Sequence, residues 1–313
     1  MADDLLAGLD PDQRVIAECL RGPVAVLAGA GTGKTRTITH RIAHGVRTGV
    51  YTPERVLAVT FTRKAAGEMQ ARLRALGAEG VRAQTFHGAA LAQLGYFWPE
   101  LVGGSAPQVL GGKVPVVSQA AESLGIELHR ESLRDIAAEI EWRKVSMLSL
   151  ESYGERLRGA GGDARATPSG VSAEQLIAIQ ERYGELLDER RQIDFEDVLI
   201  LMTGMLAAEP RAAMQVRERY RFFTVDEYQD VSPLQHALLR AWLGEREDVC
   251  VVGDASQTIY GFAGATSEYL LRFASEHPGA REFRLERNYR SAEPVVRAAN
   301  RLMRGRPGAL TLE

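Results

Sequence analysis

The amino-acid sequence predicts an α/β fold, a parallel sheet with helices on both faces, interrupted by an inserted all-α subdomain. Three observations carry this. An apolar β-type run, Val24-Ala25-Val26-Leu27, feeds a glycine-rich loop, and a helix-like segment leaves that loop from Lys34 to about His44. Apolar runs that end in polar turns recur at residues 56–60, 221–225 and 249–252. Between about Leu91 and Gln192 strand-like runs become sparse and helical patterns dominate.

Taken in order, Asp10 reads as an N-cap with Pro11 at the first helical position, opening a helix to about Arg21. Gln13 falls in its first turn. A carboxamide donates and accepts at once, which reading the edge of adenine requires, although a lone glutamine there is more often simply solvated. The loop that follows the first strand is Ala28-Gly29-Ala30-Gly31-Thr32-Gly33-Lys34-Thr35, a phosphate-binding loop with Ala28 where the strict pattern has glycine. Its glycines let several backbone N–H groups converge on a phosphate, and the following helix adds its positive end. Lys34 is expected to reach the β- and γ-phosphates and the Thr35 hydroxyl to ligate Mg²⁺.

The second apolar run, 56–60, leads into Phe61-Thr62-Arg63, a cationic turn headed by an aromatic. That suits a nucleic-acid strand through stacking by Phe61 and phosphate contacts from Thr62 and Arg63, whereas Phe61 alone would read as core. A third run, 81–87, ends in Thr85 and His87. The helical region holds helices from Ser132 to Lys144 and from Ser172 to Arg191, the latter opening with a capping box, separated by a flexible loop over 159–170. At 193–199 the acidic cluster Asp194, Glu196, Asp197 reads as solvated helix caps, before a helix ending near Ala208.

The strand at 221–225 ends in Asp226-Glu227. With the phosphate loop this is the second half of a nucleotide-hydrolysing site: Asp226 holding Mg²⁺ with Thr35, and Glu227 positioning or deprotonating the attacking water. After the strand at 249–252, Gln257 is an uncharged group suited to sensing a γ-phosphate, and Tyr260 and Phe262 in a glycine-punctuated turn suit base stacking. A last strand leads to Tyr289 and Arg290. An arginine brought to the γ-phosphate stabilises transition-state charge.

Composition sets the frame for these motifs. The chain has 313 residues, 45% hydrophobic and 25% charged, which suits an ordinary globular protein of about two domains. The apolar runs are all short of a membrane span and the acidic start is unlike a signal peptide, so a cytoplasmic protein is expected. Cys19 and Cys250 lack metal spacing and read as buried thiols. The net charge of −3 gives no global nucleic-acid signal. Locally, residues 281–306 carry eight arginines against three glutamates, a net +5, which fits a functional patch or plain arginine-rich composition.

The ordered series Gln13, AGAGTGKT (28–35), TFTRKAAGEM (60–69), TFH (85–87), VDEYQD (225–230), VGDASQTIYGFAGA (252–265) and ERNYRS (286–291) resembles the UvrD/PcrA/Rep-type superfamily 1A DNA helicases. The resemblance covers the chain apart from the helical insertion. It implies a RecA-like P-loop NTPase domain at 1–91 and 193–280, a helical insertion at 92–192, and the start of a second RecA-like domain at 281–313. It further implies ATP-driven 3′→5′ translocation on single-stranded DNA and unwinding of partial duplex, typically in DNA repair, with ATP and Mg²⁺ as cofactors. By motif, Gln13 and Arg36 contact adenine and Tyr289 stacks on it. Lys34, Thr35, Asp226, Glu227, Gln257 and Arg290 form the hydrolytic site, while Phe61, Arg63, His87, Tyr260 and Phe262 line the DNA track. The sequence departs from the family pattern at Arg63 (usually Asn), Phe262 (usually Trp) and Ala263 (usually Arg), and Ala255 and Ser256 replace two acids. Family members continue through most of a second motor domain. The chain therefore reads as the N-terminal part of a longer helicase, or alternatively as a catalytically idle nucleotide- and DNA-binding module.

Overall fold

The computed structural model describes residues 5–159 and 167–313. The acidic start and most of the glycine-rich loop expected over 159–170 lie outside the described residues. The chain runs α1 (Pro11–Glu18), β1 (Val24–Ala28), α2 (Lys34–Arg47), β2 (Val56–Thr60), α3 (Arg63–Ala75), β3 (Arg82–Thr85) and α4 (Phe86–Leu101). There follow β4 (Gln108–Val109), α5 (Val114–Ser123), α6 (Arg130–Val145), α7 (Leu150–Leu157), α8 (Ala173–Glu189) and β5 (Gln192–Ile193). The remainder is α9 (Phe195–Ala208), α10 (Pro210–Arg219), β6 (Phe222–Val225), α11 (Pro233–Leu243), β7 (Val249–Gly253), α12 (Glu268–Glu276), β8 (Arg281–Leu285) and α13 (Glu293–Met303).

Six strands form one parallel sheet in the order β3-β2-β6-β7-β1-β8. Strands β1, β2, β6 and β7 are buried at every position, as strands covered on both faces must be. Alternate residues serve opposite cores. Ala25, Leu27, Leu57, Val59, Val225 and Val251 pack with α4, α9, α10, α11 and α12. Val24, Val26, Val56, Ala58, Cys250 and Val252 pack with α1, α2 and α3. Each fully buried Val or Leu contributes about 1.5–3 kcal/mol. Both cysteines are free and buried, as the sequence suggests.

Asp10 and Gln13 form a capping box with Pro11 behind it, but α1 stops at Glu18, short of Arg21: the chain leaves helical geometry at Cys19, whose N–H donates to Ile16 O, and Gly22 beyond it is left-handed. The sheet also continues past the expected boundary at 280. Strand β8 pairs with β1 along its whole length, Val24 opposite Arg281 through Ala28 opposite Leu285, so a division at 281 falls inside the sheet. The helical region has its own core of Val117, Ile136, Ile140, Leu176, Ile179 and Tyr183. It is not wholly α: β4 and β5 pair in parallel where the chain enters and leaves it.

The acidic cluster at the start of α9 corrects the expectation of solvated caps. Asp194 does cap α9, in a box with Asp197, yet Asp194 is 1% exposed and Glu196 4%. Two lysines from the helical region neutralise them. Lys144 Nζ donates to Asp194 Oδ2 at 2.7 Å and to Asp197 Oδ1 at 2.6 Å, and Lys113 lies 2.5 Å from Glu196. Tyr183 adds an O–H bond to Asp194 at 3.0 Å. Burial raises the Asp194 carboxyl, but Lys144 and Lys113 more than reverse this and hold it below the usual range. At Glu196 burial outweighs Lys113 and pushes the carboxyl up to about 7.

Candidate functional site

The site is built where the carboxyl ends of β1, β6 and β7 meet, the edge at which parallel sheets gather ligands. Gly31 and Gly33 adopt φ of +73° and +83°, values that side chains rarely tolerate. The loop is tied by the Thr32 hydroxyl donating to Gly29 O at 2.8 Å. Gly33 opens α2 without a side-chain cap, leaving first-turn N–H groups for a ligand. Lys34 Nζ donates to Glu227 Oε2 at 2.8 Å, and the Thr35 hydroxyl donates to Asp226 Oδ2 at 3.2 Å.

Glu227 is strained: its φ of +53° is left-handed, and such strain concentrates at functional positions. Its N–H donates to Asp226 Oδ1 at 3.0 Å. Burial, then the Glu227 charge, pushes the Asp226 carboxyl up to about 6 against the pull of Lys34 and Thr35. The converging hydroxyl and carboxylate oxygens of Thr35 and Asp226 are hard donors that fit Mg²⁺, an ion that takes one or two protein ligands and completes its shell with phosphate and water. The described residues contain no cluster of three or more His, Cys, Asp or Glu placed to hold a metal by themselves.

Beside the loop, Gln13 is buried and its Nε2 donates to Thr32 O at 3.0 Å. The Gly33 position has no room for a Cβ, which would lie 2.7 Å from that nitrogen. Tyr289 N donates to Gly31 O at 3.0 Å, and its hydroxyl donates to the N-cap Asp10. Arg36 reaches Gly8 O at 2.6 Å. The Arg290 Cβ would lie 2.9 Å from a Cβ on Gly31. Gln13, Arg36, Tyr289 and Arg290 thus border the phosphate loop, as does Ala28 at the end of β1.

A cleft of about 350 Å³ runs from Thr35, Asp226, Glu227 and Gln257 to Phe61, Thr62 and Tyr260. Phe61 and Tyr260 stack with ring centroids 4.7 Å apart. The Tyr260 ring also lies 6.2 Å from that of Phe262, tilted against it, and Phe262 is 77% exposed. Thr62 and Thr85 are helix N-caps, accepting from Ala65 N and Gly88 N, and Arg63 opens α3. His87 stands outside the cleft's lining. It sits in the first turn of α4, stacked on Phe195 at 3.8 Å with Nε2 buried and unbonded. Burial, then the Lys113 charge, lowers it to about 4.

The family description "UvrD/REP helicase N-terminal domain" matches residues 9–278. The chain belongs to this family. A UvrD/REP-type chain named ATP-dependent DNA helicase UvrD2, from Mycobacterium tuberculosis, is 46% identical over 313 residues, covering 96% of this chain and 44% of that protein. ATP-dependent DNA helicase UvrD1 of Mycobacterium bovis is 32% identical, covering 96% and 39%, and ATP-dependent DNA helicase PcrA of Leuconostoc citreum is 30% identical, covering 95% and 39%. The chain therefore spans less than half the length of these relatives. Among the described residues no helix is long and apolar enough to cross a membrane.

Three residues of this UvrD/REP-type site escape a reading of the sequence. Asn288 donates to Ala30 O at 2.6 Å and accepts from Arg290 N and Ser291 N, shaping the approach of Arg290 to the loop. Leu312 packs on Gly29, where a Cβ would lie 2.2 Å from its methyl. Gln229 is 1% exposed between Glu227 and Asp254. A glutamine next to Asp230 and two residues past Glu227, inside VDEYQD, is the available signal for Gln229; nothing local signals Leu312.

Proposed function

We propose that this chain is the nucleotide-binding half of an ATP-dependent 3′→5′ DNA helicase acting in DNA repair, inside the cell. It hydrolyses ATP with Mg²⁺ in response to single-stranded or partial-duplex DNA. The observation that carries this is the Lys34–Glu227 pair at 2.8 Å, with Glu227 in one cleft with the Phe61–Tyr260 stack. Lys34 and Glu227 occupy each other; a γ-phosphate offers Lys34 stronger acceptors and leaves the Glu227 carboxylate able to orient a water and take its proton. Thr35 and Asp226 would hold Mg²⁺, which neutralises charge on the β- and γ-phosphate oxygens when bound.

Gln257, whose Nε2 donates to Asp254 Oδ2 at 2.6 Å, faces the γ-phosphate end, and Arg290 offsets the charge that develops there. Gln13 and Arg36 contact adenine and Tyr289 stacks on it. The loop from Ala28 through Gly29, Ala30, Gly31, Thr32 and Gly33 wraps the phosphates. Phe61, Tyr260 and Phe262 stack bases and Arg63, Thr62 and Thr85 meet the strand's phosphates, while His87 braces the track through Phe195. The motor core comprises 1–91 and 193–285, with 92–192 as an insertion. Replacing Glu227 by Gln should keep ATP affinity within about threefold while turnover falls by at least about 10²-fold, the scale of general-base loss. Undiminished turnover in that variant overturns the assignment of the base.

A further inference from the structure

The buried carboxamide of Gln229 bonds three partners from two motifs. Its Nε2 donates to Glu227 Oε2 at 3.0 Å and to Asp230 Oδ2 at 3.1 Å, and its Oε1 accepts from Asp254 N at 3.0 Å. Both amide hydrogens and the carbonyl are therefore committed. The fit leaves no slack: at Gly253 an added Cβ would stand 2.5 Å from Gln229 Oε1 and 3.1 Å from its backbone N. Glu227 Oε2 is the same oxygen that Lys34 occupies.

Asp230 lies on the other side. It is 6% exposed, and Oδ1 is buried without a hydrogen bond of full geometry. Burial raises this carboxyl above its usual range, against the backbone N–H groups of Ile259 and Tyr260, which line the same cleft beside it. The Tyr260 ring in turn stacks on Phe61. A contiguous set of contacts thus joins the lysine of the phosphate loop to the aromatic pair at the far end of the cleft, and the uncharged side chain in its middle is Gln229.

We propose that Gln229 is a positioning residue that couples nucleotide binding to the Phe61–Tyr260 stack; this rests on the function proposed above. When a γ-phosphate takes Lys34, Glu227 keeps Gln229 as its remaining side-chain partner. Any shift of the carboxylate then pulls on the Nε2 bond to Asp230. Asp254 N holds the carbonyl end, so the carboxamide pivots about it, and the movement reaches Asp230 and the backbone that carries Tyr260. The quantity that reads this coupling is the free energy linking the two binding events.

The test is the dissociation constant of a fluorescein-labelled oligo(dT) by anisotropy, without nucleotide and with saturating AMP-PNP and Mg²⁺, for the 313-residue chain and for Gln229→Ala. The ratio of the two constants is the coupling factor, which typical allosteric pairs place at about 5–150-fold. In Gln229→Ala it should fall to within about twofold of unity, with AMP-PNP affinity without DNA and DNA affinity without nucleotide each changed less than about threefold. A merely structural residue would instead weaken both affinities and leave their ratio alone. Gln229→Glu is the second variant: it keeps the shape and the acceptor for Asp254 N but loses both donors, and should lose coupling equally. A wild-type ratio in a folded variant overturns the role of Gln229 alone. Failure of the unmodified chain to bind AMP-PNP or oligo(dT) overturns the proposed function itself.

Discussion

Replacing Lys144 with Met tests how the helical region is joined to the sheet domain. Met keeps most of the apolar stem and removes only the charge. Lys144 Nζ lies 2.7 Å from Asp194 and 2.6 Å from Asp197, and the side chains of Lys144 and Asp194 are 10% and 1% exposed. Removing one partner of a buried pair leaves an uncompensated charge and costs about 3–5 kcal/mol. Here the Tyr183 O–H and the Asp197 N–H still reach Asp194, so the lower part of that range, about 3 kcal/mol, is expected. The assay is equilibrium urea unfolding followed by tryptophan fluorescence, with Trp142 on α6 reporting the helical region and Trp242 on α11 reporting the sheet domain. The cost should shrink as pH falls from about 8 to about 5, because a carboxyl deprived of Lys144 can take up a proton. Adding Asp194→Asn, which still caps α9, should recover more than about 1 kcal/mol. Arg182→Met, which removes the exposed pairs with Glu185 and Glu189, should leave the urea midpoint nearly unchanged. A Lys144→Met shift no larger than that would refute the buried joint.

Two further outcomes are expected. His87 is held neutral with a pKa near 4, against an ordinary 6.5, so its contribution is complete above pH 6.5 and is lost as pH falls through 6.5 to 4; the loss is on the order of 3 kcal/mol, and His87→Phe should flatten urea midpoints across that window. Equal slopes in the two proteins would remove His87 as the cause. Tyr260→Ala breaks the Phe61 stack and should weaken oligo(dT) binding by about 5–150-fold, the equivalent of about 1–3 kcal/mol for one stacked base, with AMP-PNP affinity unchanged. Unaltered DNA affinity would put the track elsewhere.

The phosphate loop is legible in the sequence because its chemistry lies in consecutive residues: glycine spacing encodes the positive φ at Gly31 and Gly33, and Lys34 and Thr35 follow at once. Asp226 and Glu227 are legible for the same reason. What stays hidden depends on partners far along the chain. The charges at Asp194 and Glu196 look solvated until Lys144 and Lys113 arrive from the helical region. His87 looks like part of a surface track until Phe195 covers it. Gln229 gains meaning only beside Asp254, and Leu312 only against Gly29. The family resemblance puts the start of a second domain at 281, but parallel pairing with β1 keeps 281–285 in the first sheet.

The central claim, that ATP turnover at Lys34 and Glu227 answers to DNA in the same cleft, is tested most directly by steady-state ATP hydrolysis of the 313-residue chain in Mg²⁺, with and without oligo(dT). Turnover should be measurable, rise with oligo(dT), saturate, and disappear in Glu227→Gln. Turnover that oligo(dT) leaves unchanged, or that survives in Glu227→Gln, would contradict that claim.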